Sequence, residues 1–167
     1  MSDQATPESV SDRVVRQLSE LLAERSAAFD LTSHREVRTS EEAAAVRSTL
    51  LHSGAKALLV KGDEGFTLLV MPADLSLDSS AARRRLGSKR MRFATPEELR
   101  DLTGLLPGSV PPFGSLFGVA TICDERLADN DKINFNAGSR SRSIQMTYRD
   151  YVRVESPALA RIAKPKQ

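Results

Sequence analysis

The segment Leu105–Gly118, LLPGSVPPFGSLFG, gathers three of the chain's 9 glycines and three of its 8 prolines into one apolar run. Proline fixes φ and removes a donor N–H, and glycine opens conformations closed to other residues. Neither a regular helix nor a central strand passes through such a run. What remains is a stiff, shaped loop whose N–H groups at Gly108, Ser109, Val110, Phe113 and Gly114 are available to point at something. An apolar floor of Val110, Phe113, Leu116 and Phe117 beneath backbone donors suits a carbonyl or oxyanion pocket. The same composition also suits a rigid connector packed on a core, and the segment alone does not choose between the two.

The periodicity of the flanking chain supplies the elements around this loop. Residues 1–6 read as a flexible tail, with Thr6 and Pro7 as cap and first residue of a helix over 7–28 built on Val10, Val14, Leu18, Leu21 and Leu22. Phe29–Val37 reads as extended. Thr39 and Glu42 form a capping box opening a helix to about Leu51, with Ala43, Val46 and Leu50 on its buried face. Ala57–Val60 and Phe66–Met71 make a hairpin across Asp63-Glu64-Gly65. Asp78 caps a helix over Ser79–Leu86 that Gly87 ends, and Met91–Phe93 is a short strand. Thr95-Pro96-Glu97-Glu98 opens a helix to Thr103. Beyond the loop, Val119–Cys123, Lys132–Asn136 and Ser143–Thr147 read as strands, the last two joined by a turn over Ala137–Arg142. Thr147 caps a short helix, ALARIA after Pro157 reads as a helical turn, and residues 164–167 as a basic tail. Five to seven strands among short helices predict an α+β fold: a mostly antiparallel mixed sheet, partly barrel-like, in one domain over 7–163.

Several chemistries are excluded by what the chain lacks. It contains no GxxxxGK[ST] loop, no GxGxxG after a strand and no GxSxG elbow. Its single cysteine, Cys123, makes neither an internal disulfide nor a cysteine-rich metal site and reads as a buried strand thiol. His34 and His52 lack metal-ligand spacing, so no metal or cofactor is expected. Apolar residues make up 40% of the chain, but no run approaches the roughly 20 residues of a membrane helix. The polar start MSDQATPESV has no signal-peptide core, and a cytoplasmic location is expected. The net charge is only +2, yet Arg83, Arg84 and Arg85, with Lys89, Arg90 and Arg92, form one basic cluster and Arg140, Arg142, Arg149 and Arg153 another. Such clusters face either phosphates or plain solvent. Asp124, at a strand end, reads equally as a turn residue or a site carboxylate.

The order of segments resembles the YbaK/prolyl-tRNA-synthetase-associated editing domain family. The matching pieces are Lys56 in GAKALLV, FTLLVMPADLSLD, LGSKRMRFATPEEL, TGLLPGSVPPFG, VATICD and INFNAGSRSRSIQM, which together span residues 36–154. The resemblance implies hydrolysis of the ester of mischarged aminoacyl-tRNA by a free-standing editing domain, and a mixed α/β sheet with helices around it. It places the family's lysine at Lys56 and its GxxxP motif at Gly108-Ser109-Val110-Pro111-Pro112. The context around Lys56 departs from the HTKN-like sequence of alanine-editing members, so the edited amino acid stays open.

An aminoacyl ester is already activated, so its hydrolysis needs a positioned water and donors for the developing oxyanion more than a strong nucleophile. Gly108, Ser109, Val110 and Pro112 would shape that donor set, and Lys56 would bind a phosphate or stabilise charge. Leu58, Phe113, Asp124, Gly138 and Ser139 are candidates for the substrate pocket. Arg83, Arg84, Arg85, Arg140 and Arg142 are candidates for the tRNA backbone, with an aminoacyl-tRNA synthetase as a further candidate partner. A non-catalytic tRNA-binding module and a small-molecule esterase are the alternatives.

Overall fold

Two eight-residue strands, β2 (Ala55–Gly62) and β3 (Gly65–Pro72), form a hairpin at the centre of a five-stranded sheet in this computed structural model, which describes residues 6–167. β5 (Met91–Phe93) pairs antiparallel with the end of β2, while β6 (Ala120–Asp124) and β9 (Ala158–Ala160) add in parallel beyond β3. Leu68 and Val70 of β3 enter one apolar cluster and Leu69 and Met71 the other. The central strand is therefore covered on both faces and reads as a continuous apolar run rather than an alternating one. A second, antiparallel sheet has the order β1 (Phe29–Ser33), β8 (Arg142–Thr147), β7 (Lys132–Ser139). A parallel bridge between Gly54 and Asn134 ties the two sheets together.

The larger cluster lies between the sheets. Helix α1 (Val10–Glu24) contributes Leu18 and Leu22, and α5 (Tyr148–Glu155) contributes Tyr151. Phe113, from the Gly/Pro loop, is fully buried there, with its ring 5.2 Å from Tyr151 and 5.7 Å from Phe135. The smaller cluster covers the other face of the five-stranded sheet with Ala82 of α3 (Ser79–Leu86) and Ile162. Four of the five expected caps hold. Thr39, Asp78, Thr95 and Thr147 each accept from the backbone N–H three residues on. At α4 (Pro96–Thr103) the box is reciprocal, because Glu98 Oε1 accepts from the Thr95 N–H at 2.9 Å.

The structure corrects the expected elements at several points. The cap of α1 is Ser9 rather than Thr6, and the helix ends at Glu24 rather than near 28. Residues 1–5 of the expected tail lie outside the described residues. Helix α2 (Ser40–Arg47) stops four residues early, at a left-handed Ser48, and Glu42 does not complete the expected box. Leu50 consequently leaves the expected buried face and is 68% exposed. The ALARIA segment is not helical. Its first half is β9, and β10 (Ala163–Pro165), which overlaps the expected basic tail, pairs with β4 (Leu75–Leu77). The described residues hold ten strands rather than five to seven. They form separate mixed and antiparallel sheets, and no barrel closes.

Candidate active site

Lys56 is the second residue of β2, at the end that β5 does not reach, since β5 pairs only with Val60–Gly62. Beyond the Ala55–Leu58 edge lies a cavity of about 220 Å³ instead of another strand. It is walled by β2, α2, β7 and the Gly/Pro loop, and Lys56, Leu58, Gly108 and Val110 all line it. The half-buried Lys56 ammonium donates to the carbonyl of Leu75 in β4. Burial, and after it the Lys166 ammonium, pulls the Lys56 amine below its ordinary range, while Glu41 and Asp74 oppose that shift. A lysine held this way is pre-positioned at the cavity and less committed to its charge than a solvated one.

The loop itself is held by its carbonyls. Arg140 donates from Nε and Nη2 to Pro107 O at 3.0 and 2.6 Å. Asn136 Nδ2 donates to Gly108 O at 2.8 Å, the Gly138 N–H to Ser109 O at 2.8 Å, and Tyr151 Oη to Pro112 O at 2.8 Å. A trans peptide points its N–H opposite its C=O. Fixing Pro107 O therefore aims the Gly108 N–H, and fixing Ser109 O aims the Val110 N–H. Those two N–H groups have no hydrogen-bond partner among the described residues. The other expected donors are consumed: Ser109 N–H by Leu106 O, Phe113 N–H by Pro111 O, and Gly114 N–H by Thr121 Oγ1. Gly108 sits at φ +83°, and its missing Cβ would have 3.7 Å to the nearest atom, so backbone conformation rather than space calls for glycine.

Behind the loop runs a polar network that no local pattern announces. Arg47, the last residue of α2, donates from Nη2 to Asn136 Oδ1 at 2.8 Å and from Nε to Ser143 Oγ at 2.9 Å. His34 Nε2 meets the same Ser143 hydroxyl at 2.7 Å. Arg47 lines the cavity, and burial pushes its guanidinium down to about 10, still charged at neutral pH. The expected substrate residues do not all gather here. Ser109, Gly138 and Ser139 line a neighbouring cavity of about 230 Å³. Phe113 supports the loop from within the core. Asp124 lies apart from both cavities, fully buried, and its carboxylate accepts from Arg126 and from the Ile162 and Ala163 N–H groups. It pins the C-terminal segment to β6.

The basic residues divide in the same way. Arg83, Arg84 and Arg85 are exposed on α3 and make no ion pair among the described residues. Arg140 is occupied by the loop, with Glu36 at 3.8 Å, and Arg142 bonds Asp12 of α1 at 2.6 Å. His34 and His52 belong to hydrogen-bond networks, His52 to Asn130, and no group of three or more metal-binding side chains exists among the described residues. No helix among them is long and apolar enough to cross a membrane.

Residues 34–154 match the family described as aminoacyl-tRNA editing domain. The chain belongs to that family. It is 33% identical over 149 residues, 86% of its own length and 89% of the other's, to a multifunctional Ser/Thr-tRNA deacylase of Escherichia coli K12. Over 78 residues it is 32% identical to a proline–tRNA ligase of Thermotoga maritima, of which it spans 14%. A crystal structure described as a candidate trans-editing enzyme for prolyl-tRNA synthetase superposes with a TM-score of 0.82 at 25% identity, covering 90% of this chain and 97% of that one.

Proposed function

We propose that this editing domain hydrolyses the aminoacyl ester of mischarged tRNA in trans. The observation that carries the reading is the loop's pattern of engagement: three successive carbonyls, of Pro107, Gly108 and Ser109, are tied back by residues 136–140. Two N–H groups, of Gly108 and Val110, stay unpaired at a cavity that Lys56 also lines. Pre-aimed donors of this kind stabilise an oxyanion without reorganising when it forms.

In this reading the ester carbonyl oxygen accepts from those two N–H groups. Water attacks the acyl carbon, the oxygen becomes an oxyanion, and the C–O bond to the ribose breaks. The products are the free amino acid and a tRNA whose ribose oxygen has taken up a proton. Lys56, at the edge of the cavity, holds negative charge of the terminal nucleotide. Leu58 and Val110 supply apolar wall, and Pro112, held by Tyr151, keeps the loop in place. The exposed arginines Arg83, Arg84 and Arg85, which make no ion pair among the described residues, are candidates to meet the tRNA backbone.

A cavity of about 220 Å³ is smaller than the roughly 300–1,000 Å³ of drug-sized sites, which favours a small acyl group. The relative named a Ser/Thr-tRNA deacylase supports serine and threonine esters. The ligase and trans-editing relatives support prolyl-tRNA synthetase as the enzyme whose products are screened. The test is release of radiolabelled amino acid from one tRNA charged in turn with serine, threonine, alanine and cysteine. Release from at least one of them is expected, and no release from any overturns the reading.

A further inference from the structure

The cavity beside the loop carries an unusual charge balance. Arg38, Arg47, Lys56 and Arg140 all line it, and no Asp or Glu does among the described residues. The four cations differ in their access to water. Arg38 lies at the rim with its side chain 76% exposed, Arg140 is spent on the loop, and Lys56 is tied to Leu75. Arg47 is anchored from the side of the second sheet, through Asn136 of β7 and Ser143 of β8. Both of its partners are neutral. A guanidinium has five N–H donors; Arg47 uses two, on Ser143 and Asn136, which leaves three. A half-buried cation with spare donors at a cavity wall is a recognition group in search of an acceptor.

The reaction geometry proposed above decides which acceptor. With the ester carbonyl on the Gly108 and Val110 N–H groups, the nucleotide and its phosphate lie toward the exposed rim and the acyl group toward Arg47. A positive wall disfavours the α-ammonium at that end, so the ammonium turns outward and the acyl side chain turns inward. We propose that Arg47 is a specificity-determining residue whose spare guanidinium donors bond an oxygen of the acyl side chain, so that the cavity prefers hydroxyl-bearing acyl groups over hydrocarbon groups of the same shape. The inference rests on the ester-hydrolase reading and adds to it the group that chooses the amino acid. A donor built to meet a hydroxyl is left unpaired by the isostere that lacks one, which gives stronger discrimination than a missing methylene can.

The test uses one tRNA acylated with threonine or with valine, an isosteric pair differing in the hydroxyl. Wild-type protein is expected to release threonine with a kcat/KM at least about tenfold above that for valine. Arg47→Met is expected to bring threonine to within about threefold of valine, threonine release falling further than valine release because the loop support through Asn136 is shared by both esters, and Arg47→Lys to keep part of the preference. Equal wild-type rates on the two esters overturn the inference, and because they need no variant they decide it even if Arg47→Met does not fold. An equal loss on both esters in a folded Arg47→Met also overturns it, since that marks a purely structural role. Wild-type inactivity on threonyl-, seryl-, alanyl- and cysteinyl-tRNA alike overturns the ester-hydrolase reading and the inference with it.

Discussion

The guanidinium of Arg140 grips the carbonyl oxygen of Pro107 through two nitrogens, at 3.0 and 2.6 Å. The two residues are far apart in sequence, yet the grip fixes the plane of the Pro107–Gly108 peptide and so the direction of the Gly108 N–H. In the proposed reaction Arg140 would act on the acyl group only through the loop. Arg140, a candidate for the tRNA backbone on the sequence, holds the carbonyl side of a peptide whose N–H has no partner among the described residues.

Arg140→Lys should therefore cost activity although it keeps the charge. A lysine ammonium is a single point donor and does not reproduce the forked grip. The expected result is a fall in kcat of about 10-fold with little change in KM for charged tRNA, the signature of a misaimed donor rather than of weakened substrate binding. Measured tRNA affinity should stay the same. A loss confined to tRNA affinity would mean that Arg140 meets the nucleic acid directly.

Asp124 should set part of the acid stability. Burial alone would raise its carboxyl, but the hydrogen bonds from Arg126 and from backbone N–H groups outweigh it and hold the group below the ordinary range. A depressed carboxyl stabilises the fold above its unfolded pKa of about 3.9 and loses that contribution as the pH falls through the folded value. Asp124→Asn should lower Tm at pH 7 and flatten its dependence on pH below about 4. Asp124→Ala, which strands the Arg126 guanidinium and two N–H groups, should cost on the order of 3–5 kcal/mol. Thermal melts of wild type and both variants across pH 2–7 check this, and identical pH profiles would contradict it.

Cys123 should be inert in the native state. Its thiol is fully buried in β6 and is pushed up to about 12 by burial and the Asp124 charge. The reactive thiolate is then scarce at pH 8. A disulfide-exchange reagent should label less than about a tenth of the native protein in the time that labels the denatured chain fully. Fast stoichiometric labelling of native protein would show that the strand opens.

What the sequence made legible was local. The Thr95–Glu98 box, the Asp78 cap and the β2–β3 hairpin are written within a few residues of themselves, and the structure carries each as read. The Gly/Pro loop was legible as a stiff, shaped loop, but the segment alone did not say which of its N–H groups would stay unpaired. Ser109, Phe113 and Gly114 lose theirs to partners that only the fold supplies. Arg47 and Asn136 escaped for the same reason. They stand 89 residues apart, and an arginine ending a short helix looks like a solvated charge until β7 is laid beside it. ALARIA misled because alanine and leucine favour helices in isolation. In the fold the open edges of β6 and β4 take up that backbone as strands.

The most direct test is single-turnover release of serine and threonine from mischarged tRNA by wild type and Lys56→Ala. Lys56 lines the same cavity as Gly108 and Val110, whose N–H groups have no partner among the described residues. The expected result is release by wild type and a loss of at least about 100-fold in the variant, the scale of removing one pre-organised electrostatic group from an acyl-transfer site. Equal rates for wild type and a folded Lys56→Ala would contradict the central claim.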